Sequence, residues 1–520
     1  MNIKRFWIAV CAAMGGGLSV ASAEELSFRK IELSVSAPVF ENVSAMHLRQ
    51  TRARDLLIHV RNDAREHFFE VYNSESLMSD APQAPKTIKI PRNAIYYALG
   101  ETPSDERDAL LILTETGIEK YDVGADAFVP LIASRSIFRQ GIDFRFILSG
   151  FARDLNDDGR YDLMVPDFDG MKVYIQKDGG GFREPILLPV EPEMRLTGQY
   201  SNDNISDTEL APPAPTTPAF SVFPSHLFDA TGDGRSDIVF NVGVDLVIFA
   251  QTEDGAFDTK PRISTMPFDV RGNRWVDEIA ANESNADQSR FRDITVYRIV
   301  DLDADDIAEV VTVENKASGV FDREQTFSIY KGQIRDGLVT YDRTPEHAYA
   351  LEGVGGVGFR DIDNNGRFDL AVTSLKLNIG KVISVLLTRK LKIHTRFYFD
   401  EPDGGFSERH DFRRSTQIGV DLSRGLTNNP ALVYADFDGD EGLDLLANAD
   451  ENELIVLRGG AQEPFETELA SLDVVLPSDG SLVDALAINN DAREDIVVRY
   501  SRLGLDGAER RNRLVLFLSE

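Results

Sequence analysis

Five times along this chain a nine-residue loop sets oxygen-bearing side chains at its first, third, fifth and ninth places and runs straight into a short apolar stretch. The copies are Asp154-Leu-Asn156-Asp-Asp158-Gly-Arg-Tyr-Asp162, Asp229-Ala-Thr231-Gly-Asp233-Gly-Arg-Ser-Asp237, Asp301-Leu-Asp303-Ala-Asp305-Asp-Ile-Ala-Glu309, Asp361-Ile-Asp363-Asn-Asn365-Gly-Arg-Phe-Asp369 and Asp436-Phe-Asp438-Gly-Asp440-Glu-Gly-Leu-Asp444. A single copy could be an ordinary acidic turn, because Asp, Asn and Gly make turns without metal. Five copies in one register point to repeated cation sites.

Hard divalent cations take oxygen ligands, and calcium accepts an irregular shell of roughly six to eight. Positions one, three, five and nine would supply side-chain oxygens and position seven a backbone carbonyl. This predicts up to five Ca²⁺ sites. Glycine at position six, as Gly159, Gly234 and Gly366, allows a left-handed turn. Two copies depart from the pattern, with Asp306 at that place in one and Glu441, followed by Gly442, in the other. An EF-hand opens a helix and closes its shell with a Glu at position twelve. Here the continuations are Leu-Met-Val, Ile-Val-Phe, Val-Val-Thr-Val and Leu-Ala-Val-Thr, which read as strands.

Each loop ends on an acid that anchors the following strand, and degenerate anchors extend the series. Asp55, Asp108 and Asp495 also precede apolar runs, although Ala487 and Ala492 replace the first ligand and the glycine in the last unit. From Asp55 the anchors are separated by 53, 54, 75, 72, 60, 75 and 51 residues, a period that means a β-propeller. In each unit the anchored strand is expected to come first. A second apolar segment follows it, often closing on a hairpin that ends in Phe, as at Phe182, Phe257 and Phe406. Eight anchors predict an all-β propeller of about eight blades, with seven as the alternative. The terminal strand Arg513 to Leu518 lacks an outer partner, so the segment Leu26 to Ser34 is expected to complete the last blade and close the ring.

The Asp-x-Asp/Asn-x-Asp-Gly-x-x-Asp loop followed by an apolar strand resembles the FG-GAP/VCBS repeat family and is similar to the propellers of integrin α-subunits. The resemblance implies calcium inside the blades at the positions named above, and a ring serving adhesion, ligand binding or assembly. A minority of similar propellers are enzymes, including polysaccharide lyases.

Residues 1–23 read as a secretory leader, with Lys4 and Arg5, an apolar run and Ala21-Ser22-Ala23 as the cleavage site. The chain is expected to be exported, to a periplasm, an outer envelope or beyond, and residues 24–520 to form one propeller. Its sole cysteine, Cys11, lies inside the leader, which leaves no disulfide. A net charge of −31 makes nucleic acid an improbable partner. If each loop binds calcium in the ~10⁻⁴–10⁻³ M range of extracellular modules, millimolar calcium adds about 0.4–1.4 kcal/mol per site by mass action. Five sites then sum to roughly 2–7 kcal/mol, comparable with the whole stability of many domains.

Three insertions are expected, near 191–220, 269–291 and 375–390. The first is proline-rich and polar, the second holds Trp275, and the third carries Ile379, Val382, Ile383, Leu386 and Leu387 at helical spacing beside several basic residues. That helix is expected to pack its apolar stripe on the ring. The alternative is docking through 375–392 to a membrane surface or partner protein.

Catalytic motifs are sparse. There is no Gly-x-Ser-x-Gly elbow, His-Glu-x-x-His pair or phosphate-binding Gly-x-x-x-x-Gly-Lys-Ser/Thr. Gly353-x-Gly355-x-x-Gly358 leads into a metal loop rather than a helix, so it reads as a tight strand approach. The expected function is a calcium-binding scaffold engaging a protein or glycan. The competing expectation is a calcium-dependent lyase or hydrolase of acidic polysaccharide.

Overall fold

The computed structural model describes residues 26–520, apart from 50, 80–81, 103–106, 139–145, 199–215, 271–290, 318–322, 353, 376–378, 402–404, 408, 422–424, 428–429, 451, 461–463 and 490. The predicted leader and Trp275 lie outside the described residues. Eight sheets of four or five strands follow one another along the chain, antiparallel except that Ile147–Leu148 pairs parallel with Tyr96 and Tyr97 at the edge of the second. They span residues 39–89, 94–133, 152–188, 225–265, 291–352, 354–427, 432–473 and 483–519, and are numbered here as blades 1 to 8. The chain is an eight-bladed β-propeller.

Blade 4 shows the plan, with strands Ser225–Phe228, Asp237–Val242, Asp245–Phe249 and Arg262–Thr265 paired in that order. The anchored strand is therefore the second of four, not the first. A short leading strand was overlooked because it carries little pattern of its own; in blade 3 it is only Ala152–Arg153. The acidic loop joins first strand to second. The hairpins ending at Phe182, Phe257 and Phe406 are present, each closed by a bridge, to Gln176, Gln251 and Asp400 respectively.

Closure follows the expected route. Phe28–Ser34 pairs antiparallel with the last strand, Arg513–Ser519, from Phe28 opposite Ser519 to Ser34 opposite Arg513, and becomes the fourth strand of blade 8. The apolar interior is divided among eight clusters, each shared by two successive blades. Leu56 and Ile58 of blade 1 pack with Leu514 and Leu516 of blade 8, so the last interface joins the ends of the ring.

Alternating strand direction sends every first-to-second and third-to-fourth connection to one face of the ring and every other connection to the opposite face. The acidic loops all lie on the first face. The insertions near 191–220 and 375–390 reach the second, while residues 271–290 of the other lie outside the described residues. Near 191–220 the described part is a ribbon of Glu193–Gly198 against Thr216–Ser221. Near 375–390 a helix, Ile379–Thr388, joins the second and third strands of blade 6. The expectation that its stripe packs on the ring fails at two residues: Leu386 and Leu387 are 47% and 79% exposed. Among the described residues no helix is long and apolar enough to cross a membrane. The Gly-x-Gly-x-x-Gly segment is strand, Val354–Arg360, and a Cβ at Gly355 would lie 2.1 Å from the Thr373 carbonyl oxygen of the neighbouring strand.

A further element escaped sequence reading. Blade 5 inserts a hairpin, Gly332–Arg335 with Leu338–Tyr341, that leans over the metal loop of blade 4 through Val339 N–H to Ala230 O at 2.7 Å.

Candidate metal centres

All five loops fold alike. The residue at position six has a left-handed backbone in each, with φ of 80° at Gly159, 81° at Gly234, 67° at Asp306, 87° at Gly366 and 68° at Glu441. The two departures from glycine therefore keep the turn, and Gly442 is not where it falls. Position four is left-handed too, at Asp157, Gly232, Ala304, Asn364 and Gly439. The sequence carried a signal for this, since Gly, Asn and Asp occupy four of those five places and tolerate that region best.

The turn lets the loop carboxylates collect backbone N–H groups. The position-one acid accepts from the N–H of position six, with Asp154 taking Gly159 at 2.7 Å, Asp301 taking Asp306 at 2.9 Å and Asp436 taking Glu441 at 2.9 Å. Position five accepts from position seven, as Arg160 N–H to Asp158 at 3.0 Å and Arg367 N–H to Asn365 at 2.8 Å. The anchor at position nine is held from two sides. One of its oxygens takes the N–H of position two, the other an N–H beyond the third strand: Leu155 and Gln176 on Asp162, Ala230 and Gln251 on Asp237, Ile362 and Asp400 on Asp369.

Position three is different in four of the five loops; in the fifth, Asp438 accepts from the Asp440 N–H at 3.2 Å and from Arg458 at 2.7 Å. Asn156 Oδ1, Thr231 Oγ1, Asp303 Oδ1 and Asp363 Oδ1 are buried and accept no hydrogen bond. A buried oxygen without a partner is costly, typically by about 1–3 kcal/mol, and a cation or a water at each loop would relieve it; Thr102 Oγ1, at the same position of the blade 2 loop, is buried and unpartnered as well. The carboxylates could supply the rest of a cation's shell. Ligand oxygens of Asp301, Asp303 and Glu309 lie within 4.8 Å of one another, as do those of Asp361, Asp363 and Asp369 and those of Asp436, Asp438 and Asp444. The two loops with an amide or hydroxyl at position three, those of Asn156 and Thr231, share the backbone and the unpartnered oxygen. The donor set is all oxygen, which suits a hard cation such as Ca²⁺.

Burial of these acids has an electrostatic consequence. It pushes the carboxyls of Asp162, Asp369 and Asp444 up to about 7 and that of Glu309 up to about 8, and neighbouring loop carboxylates add to the shift. Basic side chains cover some outward oxygens: Arg160 reaches Asp158 at 2.6 Å, Arg458 reaches Asp438 at 2.7 Å and Lys331 bonds Asp303. In blade 6 sequence reading missed a further acid, Asp400, whose Oδ1 accepts from Asn365 Nδ2 at 2.6 Å beside Asp363 and Asp369.

His59 and His67, which flank one hairpin, meet through Nε2 and Nδ1 at 2.8 Å within a cage of Phe40, Phe69, Tyr97 and Phe146. Burial lowers the pKa of both, to about 4 for His67.

No family model and no curated protein matches the chain. Among solved structures it is similar to an Agrocybe aegerita lectin described for specific recognition of non-reducing terminal N-acetylglucosamine, at 12% identity over 92% of this chain and 99% of that one, with a TM-score of 0.40. It is also similar to the V. cholerae biofilm matrix protein Bap1, at 10% identity over 94% and 91% of the two chains, with a TM-score of 0.27. Likeness at that level carries no ligand across.

Proposed function

We propose that this chain is an exported, calcium-loaded propeller of the FG-GAP/VCBS type whose metal loops stiffen one face while the opposite face receives a protein partner. The recurrent unpartnered oxygen at position three carries the metal half of this reading. A cation there would accept that oxygen together with the carboxylates at positions one, five and nine. It would also offset the mutual repulsion that burial imposes on them.

The distribution of apolar exposure supports the second half. Phe168, Met194, Leu386, Leu387, Val475 and Leu503 are exposed, and all lie in connections on the face away from the metal. In connections on the metal face, Met78 is the one exposed large apolar side chain among the described residues. Leucine and methionine tips suit a protein surface better than a sugar, which is gripped by polar and aromatic groups. Calcium would thus act structurally, holding the ring that displays these tips.

Calcium titration by calorimetry, paired with melting in millimolar calcium and in chelator, tests the metal reading. Saturable binding and a higher Tm in calcium are expected. Equal melting in both, with no binding heat, would overturn it. A glycan array positive for the chain, with no protein captured through the insertion face, would replace the protein partner with a glycan.

A further inference from the structure

Blade 1 lacks the acidic signature, yet its loop has the same length. Counting back from Asp55 gives His47-Leu-Arg49-Gln-Thr-Arg-Ala-Arg54-Asp55, with Arg49 at position three, where the metal loops hold their unpartnered oxygen. The side chain turns inward to the anchor. Arg49 Nε donates to Asp55 Oδ2 at 3.0 Å and Nη2 donates to Asp55 Oδ1 at 2.5 Å, a two-pronged ion pair. Asp55 is 1% exposed, and its Oδ1 also accepts the Ser74 N–H at 3.2 Å, the counterpart of the Gln176 contact to Asp162.

We propose that Arg49 is a built-in replacement for the cation, so that blade 1 is fastened by a guanidinium where blades 3 to 7 are fastened by calcium. This rests on the calcium reading above for those five blades. The guanidinium is planar, permanently charged and matched to a carboxylate, which suits it to neutralise a buried anchor without exchange. The anchors on either side take backbone N–H groups as the metal-loop anchors do, but their loops lack an acid at position one, which is Gly100 in blade 2 and Ala487 in blade 8. Asp108 of blade 2 accepts the His47 N–H at 2.7 Å and the Thr102 N–H at 3.2 Å. Asp495 of blade 8 accepts the N–H groups of Ile488, Asn489 and Ser519.

The ring is therefore partitioned. Blade 1, which packs against the joint between Phe28–Ser34 and Arg513–Ser519, holds its anchor without metal, whereas blades 3 to 7 depend on it. Loss of calcium loosens five consecutive blades but leaves the blade 1 clamp intact.

Two variants test this. The first combines His47→Asp, Arg49→Asp, Thr51→Asp and Arg52→Gly, which writes the metal motif into blade 1. Equilibrium dialysis should then count one more calcium per chain than in the wild type, and an unchanged count in a folded variant would overturn the proposal. The second is Arg49→Ala. It should lower Tm by a few degrees to the same extent in calcium and in chelator, with partial recovery in low-millimolar methylguanidinium. A fall in Tm confined to calcium would place Arg49 with the metal sites and overturn the proposal, even if the first variant does not fold. If the wild type binds no calcium at all, the reading of blades 3 to 7 fails, while the Arg49→Ala result still decides whether the guanidinium clamps blade 1.

Discussion

Asn156 of blade 3 donates its side-chain amide to the Gly255 carbonyl of blade 4 at 3.1 Å, while its Oδ1 stays buried and unpartnered. The same residue's backbone carbonyl accepts from Gln251 Nε2 at 2.8 Å. A cation on Oδ1 would fix the orientation of an amide that also crosses a blade boundary, and would thereby couple metal binding to inter-blade contact at this residue.

Asn156→Ala should accordingly destabilise the calcium-loaded protein by about 1–3 kcal/mol, because a ligand and a cross-blade hydrogen bond go together. In chelator the loss should be smaller, since the unpartnered oxygen disappears as well. Urea unfolding in the two conditions measures the difference, and equal losses would detach Asn156 from the metal.

The raised anchors predict opposite pH responses for the two forms. In metal-free protein Asp162, Asp369, Asp444 and Glu309 hold protons up to about pH 7–8, whereas unfolded acids release them near pH 4. The folded state thus binds more protons between those limits. Its stability should fall as pH rises from about 5 to 8. Calcium must displace those protons, so its affinity should weaken below about pH 7 and binding should release protons. Calorimetry in buffers of different ionisation enthalpy reads that release directly.

Closure depends on a strand from the far end of the chain. Leu33 is 3% exposed and lies opposite Leu514 across the joint. Leu33→Ala should cost about 2–4 kcal/mol through lost burial and the cavity left behind. Removal of the strand would expose an open sheet edge and promote association, visible by light scattering.

Leu386→Glu with Leu387→Glu should leave stability within about 0.5 kcal/mol, because both side chains face solvent. Capture of a partner, if it occurs through this face, should drop at least tenfold. A loss of folding instead would show that the helix packs against the ring.

Much of the architecture was legible because the acidic loops repeat residue types at fixed spacing and anchors recur with the blade period. Asp162, Asp237, Glu309, Asp369 and Asp444 each begin the second strand of a blade, and the joint at Phe28–Ser34 followed from a terminal strand without a partner. What escaped had no such imprint. Ala152–Arg153 is too short to show a period, and the Gly332–Tyr341 hairpin has local pairing but no repeat. Arg49 was overlooked because its charge is opposite to the one a search for metal ligands seeks. The exposure of Leu386 and Leu387 depends on what lies beneath the helix, which helical spacing alone does not reveal.

Sharing every apolar cluster between neighbours means that no single blade owns the material that keeps it folded. A protease that nicks the chain within 375–390 or 191–220 would cut a covalent link without unzipping either adjoining interface. The two fragments should stay clasped under native conditions and part only in denaturant, the behaviour of a barrel hoop whose staves are wedged rather than nailed.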